Sequence, residues 1–183
     1  MKKLLILAAC AVGLSYTASA KIGLTPVAGL NIANVGGDAS GTDSKMGFHI
    51  GLLKSFNITE SFSIQPGLLF SAKGYEIADI GMGMNYLEIP VNAVYKFGDG
   101  DGGFMLHAGP YLGYMINATV EGEAIDDYDG VNRMDFGLNV GVGYQLPMGL
   151  MFRAQYGLGL ASTTDGDAKV PNRVIGITVG YTL

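Results

Sequence analysis

From about residue 22 to the C-terminus, apolar and polar side chains alternate with a period of two, the pattern of strands whose two faces meet different surroundings. The last segment is the clearest: Ile175, Ile177, Val179, Tyr181 and Leu183 alternate with Gly176, Thr178, Gly180 and Thr182. The segment from Leu150 to Ala161 sets Leu150, Phe152, Ala154, Tyr156, Leu158 and Leu160 against Arg153, Gln155, Gly157 and Gly159. Phe136, Leu138, Val140, Val142 and Tyr144 oppose Asp135, Gly137, Asn139, Gly141 and Gly143. Leu87, Ile89, Val91, Ala93, Tyr95 and Phe97 oppose Tyr86, Glu88, Asn92 and Lys96. Four further segments, at about 22–35, 45–57, 60–75 and 103–119, follow the rule less cleanly. The pattern predicts eight strands.

One face of these strands carries long aliphatic and aromatic side chains; the other carries glycine, amides, hydroxyls and the strand charges. In a soluble barrel the bulky face would point inward, but eight strands enclose room for a single layer of side chains. So many large residues would overfill it. The glycine-rich face fits a narrow lumen and the bulky face fits lipid. Closure is then required, because an open edge in a bilayer leaves backbone groups without partners. Connections are short at 57–60, 98–102 and 147–149, and longer and polar at about 36–44, 76–84, 120–132 and 163–172. Alternating turns and loops of this kind belong to outer-membrane barrels, with the turns in the periplasm. The expected fold is all-β: an eight-stranded antiparallel transmembrane β-barrel of up-and-down topology.

Aromatic spacing supports the membrane reading. Phe48 and Phe56, Phe62 and Phe70, and Phe136 and Tyr144 lie eight positions apart, and Phe104 and Tyr114 lie ten apart. An even spacing puts both rings on one face of a strand. Eight residues on a strand tilted by about 40° span roughly 20 Å of the tilt axis, near the separation of the two aromatic girdles of a barrel. Phe48, Phe70, Tyr114 and Phe136 are expected at the loop end. Phe56, Phe62, Phe97, Phe104, Tyr144, Phe152 and Tyr181 are expected at the turn end.

The N-terminus adds a compartment. Lys2 and Lys3, the apolar run Leu4 to Leu14 and the Ala18-Ser19-Ala20 site read as a cleavable signal peptide over residues 1–20, with 21–183 as the barrel domain. A competing reading makes Cys10, after Leu7-Ala8-Ala9, a lipoprotein anchor; the apolar pattern running past it favours the conventional site. Loss of the signal removes the one cysteine and, with it, thiol and disulfide chemistry. It also removes Lys2 and Lys3 from eleven basic residues, leaving nine against sixteen acidic ones, a net charge of −7. Such a chain is a poor nucleic-acid binder.

Four stretches resemble a known family: Tyr86-Leu87-Glu88-Ile89-Pro90, Gly109-Pro110-Tyr111, Ser71-Ala72-Lys73-Gly74 and the closing strand from Gly176 to Leu183. Together, in their order and spacing, they are similar to the PorT-like outer-membrane β-barrel proteins of the Bacteroidota. The resemblance spans essentially the whole mature chain and implies an eight-stranded barrel in the outer membrane. For most members it implies no established activity; the founding member is linked to protein secretion. The closing strand also resembles the signal read by outer-membrane assembly machinery, departing from it by ending in Leu183 instead of phenylalanine. Expected partners are outer-membrane lipids and, during biogenesis, that machinery.

Candidate chemistry is sparse. Lys73, Glu88, Lys96, Asp135 and Arg153 fall on the lumen face with His49 and His107. They are expected to form a salt-bridged polar plug, because buried charges need partners; an ion path is the functional alternative. Glu88 and Asp135 are expected in the outer half, Lys96 at the periplasmic end and Arg153 lower to middle. A lipid-modifying enzyme needs a nucleophile and base at the outer rim. His49, near the outer end of its strand, has no obvious serine beside it, and His107 belongs near the periplasmic end. The Asp126, Asp127, Asp129 and Gly130 loop fails the EF-hand pattern, since that register puts Ile125 first and Phe136 last. No catalytic residue, metal site or cofactor is expected. The rival from another class is a secreted soluble barrel holding a small apolar ligand.

Overall fold

The structure, a computed structural model, describes residues 23–39, 41–98, 102–124, 132–163 and 169–183. Eight long strands form one antiparallel sheet: β1 (Leu24–Val35), β2 (Thr42–Lys54), β3 (Phe62–Ile77), β4 (Ile80–Lys96), β5 (Gly103–Val120), β6 (Met134–Gln145), β7 (Leu150–Ser162) and β8 (Pro171–Tyr181). Each pairs with the next, and β8 returns to β1, so the barrel closes without an edge. The seam holds to the end of the chain: Gly23 N–H donates to the Leu183 carbonyl at 3.0 Å, and Leu183 N–H donates to Leu24 at 2.9 Å. The predicted signal peptide lies outside the described residues.

The register defines the barrel's geometry. The paired row Phe104, Tyr144, Phe152, Val179, Ala28, Ile50, Phe70, Leu87 returns to β5 at Tyr114, ten residues above its start. A shear of ten over eight strands sets a tilt of about 40° and a radius of roughly 8 Å, wide enough for side chains and little else. Each step to the next strand raises the row by about 1.25 residues. Corrected for that climb, Phe56, Phe62, Phe97, Phe104, Tyr144, Phe152 and Tyr181 fall within roughly 10 Å of one level. Phe48, Phe70, Tyr114 and Phe136 fall in a second band, roughly 20 Å above. Phe62 and Phe70 are half-buried and the other members exposed. Rings meet within both bands, Phe48 with Phe70 at 5.5 Å and Phe104 with Tyr144 at 5.3 Å.

Between the bands the outer surface is apolar. Val140 is 57% exposed, and Leu30, Ile50, Leu68, Leu138 and Ile177 are likewise exposed. In water this belt would be unstable; in lipid it is the required exterior. The soluble-barrel reading fails here, because the bulky face points outward.

Two expectations need correction. The stretch 76–84 is not a long loop: β3 and β4 continue through it, pairing Tyr75 with Met82 and Glu76 with Gly81. They meet in a two-residue turn at Ala78 and Asp79, with φ of 48° and 65°. Two successive positive φ values give the hairpin turn whose twist matches the strands it joins. Likewise β5 reaches Val120, turns at Glu121 and Gly122, and pairs back through Glu123–Ala124. The acidic residues Asp126, Asp127 and Asp129 lie outside the described residues.

The second correction concerns the lumen, which is not uniformly polar. Val27, Leu53, Leu69, Val94, Met105 and Met151 form an apolar cluster in its turn half. Met84, Tyr86, Met115 and Ala118 form another toward the loop end, with Tyr75 packed against it. A closed, narrow barrel must fill its interior to native density, and flexible methionines serve as gap fillers.

Candidate functional site in the lumen

The loop half of the lumen holds a compact charge cluster. Lys73 of β3 pairs with Glu88 of β4 and lies 2.9 Å from Asp135 of β6. Lys73 is 6% exposed, Glu88 8% and Asp135 2%. Asp135 also accepts hydrogen bonds from the Tyr111 hydroxyl at 3.3 Å and from Asn172 Nδ2 at 3.0 Å. Asn172 Nδ2 reaches the Tyr86 hydroxyl at 3.4 Å. The ammonium sits 4.6 Å from the Tyr111 ring centroid and 5.0 Å from that of Tyr86, within cation–π range. Two carboxylates thus share one ammonium; Asp135 is also met by hydroxyl and amide donors, whereas Glu88 relies on the ammonium alone.

Glycine makes room for this. Gly113 is paired across the ladder with Glu88 on one side and Asp135 on the other, and Gly137 is paired with Tyr111. A Cβ at Gly137 would come within 2.8 Å of the Tyr111 ring. The same rule places both histidines. His49 lies across from Gly29, where a Cβ would meet its ring at 2.5 Å, and His107 lies across from Gly141, also at 2.5 Å. Gly29, Gly137 and Gly141 are spaces into which large neighbours fold, whereas a Cβ at Gly113 would make only ordinary contacts.

His49 sits near the middle of β2, not near its outer end as the sequence suggested, because β2 continues outward to Thr42. Its Nδ1 bonds Asn31 Oδ1 at 2.8 Å and its Nε2 bonds Thr178 Oγ1 at 2.9 Å. Asn31 Nδ2 donates in turn to Ser71 Oγ at 3.1 Å and to the Ala72 carbonyl at 2.9 Å. A serine is therefore near His49, but an asparagine stands between them and all three are buried. His107 is buried in the turn half of β5.

The five lumen charges divide into two groups. Arg153 and Lys96 belong to the turn end, with Arg153 roughly 17 Å below Lys73 along the barrel axis by the register. They line a vestibule of about 270 Å³ that opens at that end. Arg153 is 5% exposed, yet its Nε has no hydrogen-bond partner; nor has Oε1 of Gln65 on the same vestibule wall. Between vestibule and charge cluster lie two cavities of about 20 Å³ beside His49, each the size of a single water. Sequence reasoning named the charges but missed Tyr111, Asn172, Asn31, Ser71, Thr178 and Gln65, which complete or abut these groups. Their position on the polar face was the available signal.

Among the described residues, no group of three or more His, Cys, Asp or Glu side chains is arranged to hold a metal ion. No helix of the described residues is long and apolar enough to cross a membrane; the crossing elements are strands. A model of the outer membrane protein beta-barrel domain family matches residues 12–165. The chain belongs to that family. Family and fold together place it in the outer membrane. Solved structures share the barrel. The attachment invasion locus protein Ail of Yersinia pestis is 18% identical, with a TM-score of 0.50, 88% of this chain and 99% of that one covered. PagL, described as an outer membrane enzyme, is 16% identical with a TM-score of 0.57, covering 87% and 99%. Neisserial surface protein A is 16% identical with a TM-score of 0.57, covering 88% and 97%. Among curated protein sequences none matches. At these identities the likeness is one of fold, and a fold that carries both an enzyme and a surface protein leaves catalysis open.

Proposed function

We propose that this protein is a closed outer-membrane barrel without catalytic activity, serving a structural, surface-exposed or secretion-accessory role, and that it is a PorT-like member of its family. The observation that carries the closed reading is the Lys73–Glu88–Asp135 cluster, ringed by Tyr86, Tyr111 and Asn172 across the loop half of the lumen. Buried charges held together in this way act as a cross-brace between β3, β4 and β6, and they occupy the path an ion would take. The non-catalytic reading is supported by His49, whose two ring nitrogens are both engaged inside the lumen and not at the lipid-facing rim. The PorT-like reading rests on the four sequence stretches quoted above. Lipids of the outer membrane, and its assembly machinery during biogenesis, are the partners this reading requires.

Planar-bilayer recording of the purified barrel tests the closed state. Only brief or absent openings are expected from the native protein. Sustained single-channel conductance would overturn the plug.

A further inference from the structure

We infer that the turn-end vestibule is a binding site for a small oxyanion, a carboxylate or phosphate group, entering from the periplasmic side, with Arg153 as its anchor. Three observations converge. First, Arg153 is a buried cation whose Nε lacks a partner, and no carboxylate pairs with it among the described residues. A buried charge without compensation is costly, and the fold that braces Lys73 with two carboxylates supplies none here. Second, space lies beside it. The vestibule of about 270 Å³ is open at the turn end and lined by hydroxyls and amides, including Ser63, Gln65, Gln145 and Thr182. Third, the charge of the lining suits an anion: Arg153 faces it, and the one acid among the lining residues, Glu60, is exposed at the turn.

The chemistry narrows the ligand. A guanidinium presents parallel N–H donors that match two oxygens of a carboxylate or phosphate, a fit a lone ammonium lacks. Gln65, itself 4% exposed, donates from Nε2 to Ser55 Oγ at 2.8 Å and leaves its buried Oε1 without a partner. That acceptor calls for a donor on the ligand close to its anionic group. Hydrogen phosphate carries one as P–OH; an N-acylated amino acid carries one as the amide N–H beside its carboxylate. Both are small enough for the space. The site is separate from the loop-end plug and stands whether or not the plug conducts.

The test uses the full barrel refolded in detergent micelles, with Arg153 guanidinium resonances followed by NMR while inorganic phosphate, N-acetylglycine or neutral N-acetylglycinamide is added. Saturable shifts are expected with one or both anions and not with the amide; which anion binds assigns the source of the oxyanion. Arg153→Met is expected to weaken binding, measured by calorimetry, at least tenfold, and Arg153→Lys less, while both keep the heat-dependent gel shift of a folded barrel. Should Arg153→Met fail to fold, the wild-type protein still decides the matter. A bound anion must raise its urea midpoint in proportion to the logarithm of anion concentration. No saturable response to either anion, equal binding of the neutral amide, or undiminished binding by folded Arg153→Met would each overturn the assignment.

Discussion

The two ends of the lumen each bury a cation, and they treat it in opposite ways. At the loop end Lys73 lies between two carboxylates and against two aromatic faces, with an amide and a phenol donating to Asp135. At the turn end Arg153 is as deeply buried but has an unbonded Nε and an open vestibule beside it. Burial alone thus says little about a charge in a barrel. What separates a brace from a site is whether the fold completes the charge's own interactions, and whether it leaves room next to it. The cavity against the brace holds about one water. The half around Arg153 keeps space for a ligand.

The largest effect expected from breaking this contrast is at Lys73. Lys73→Met strands Glu88 and Asp135 as unpaired carboxylates in a shared low-dielectric site, a loss of about 3–5 kcal/mol. Urea unfolding in micelles should show it as a large fall in midpoint, or the folded, heat-modifiable band should vanish. Adding Glu88→Gln and Asp135→Asn to Lys73→Met removes the stranded charge and should recover most of the loss. A Lys73→Met barrel weakened by less than about 1 kcal/mol would make the cluster no more than a surface-type ion pair.

Smaller, and directed at how the lumen is packed, is Gly29→Ala. The new methyl group would lie 2.1 Å from the Ile177 carbonyl oxygen and 2.5 Å from the His49 ring, and backbone cannot step aside. Overpacking of this kind costs about 1–3 kcal/mol. Gly113→Ala, whose nearest neighbours would be 3.4 Å away on Glu88 and Tyr86, should stay within about 1 kcal/mol of wild type. Equal losses from the two substitutions would show that lumen glycines act through backbone freedom and not through the space they leave.

Much of this was legible from period-two alternation, because strand faces follow parity. Phe104 and Leu106 facing out already place Met105 and His107 in, so even the apolar lumen residues could have been read by strict register. The hairpin at Ala78 and Asp79 was not legible, since its residues are not those that favour positive φ most and the surrounding glycines read as loop. Nor was the split of the five charges. Lys73, Glu88 and Asp135 meet only because the register climbs ten residues per circuit, and that shear is a property of closure, written in no single strand. Once closure is known, the spacing of ten between Phe104 and Tyr114 is seen to be the shear itself.

The smallest effect, and the one with the opposite sign, is Arg153→Met measured without ligand. Methionine keeps the length of an apolar stem against Gly143, where a Cβ would come within 2.9 Å of Arg153 Cγ, and removes a charge that lacks a partner. The unfolding midpoint in urea should therefore hold or rise, by about 1 kcal/mol at most. Lys73→Met and Arg153→Met each delete one buried cation, so a difference in sign between them isolates compensation from burial. A loss above about 1 kcal/mol in Arg153→Met would mean that the native fold does complete this guanidinium. The turn end would then be a second brace, and the two halves of the lumen would follow one rule.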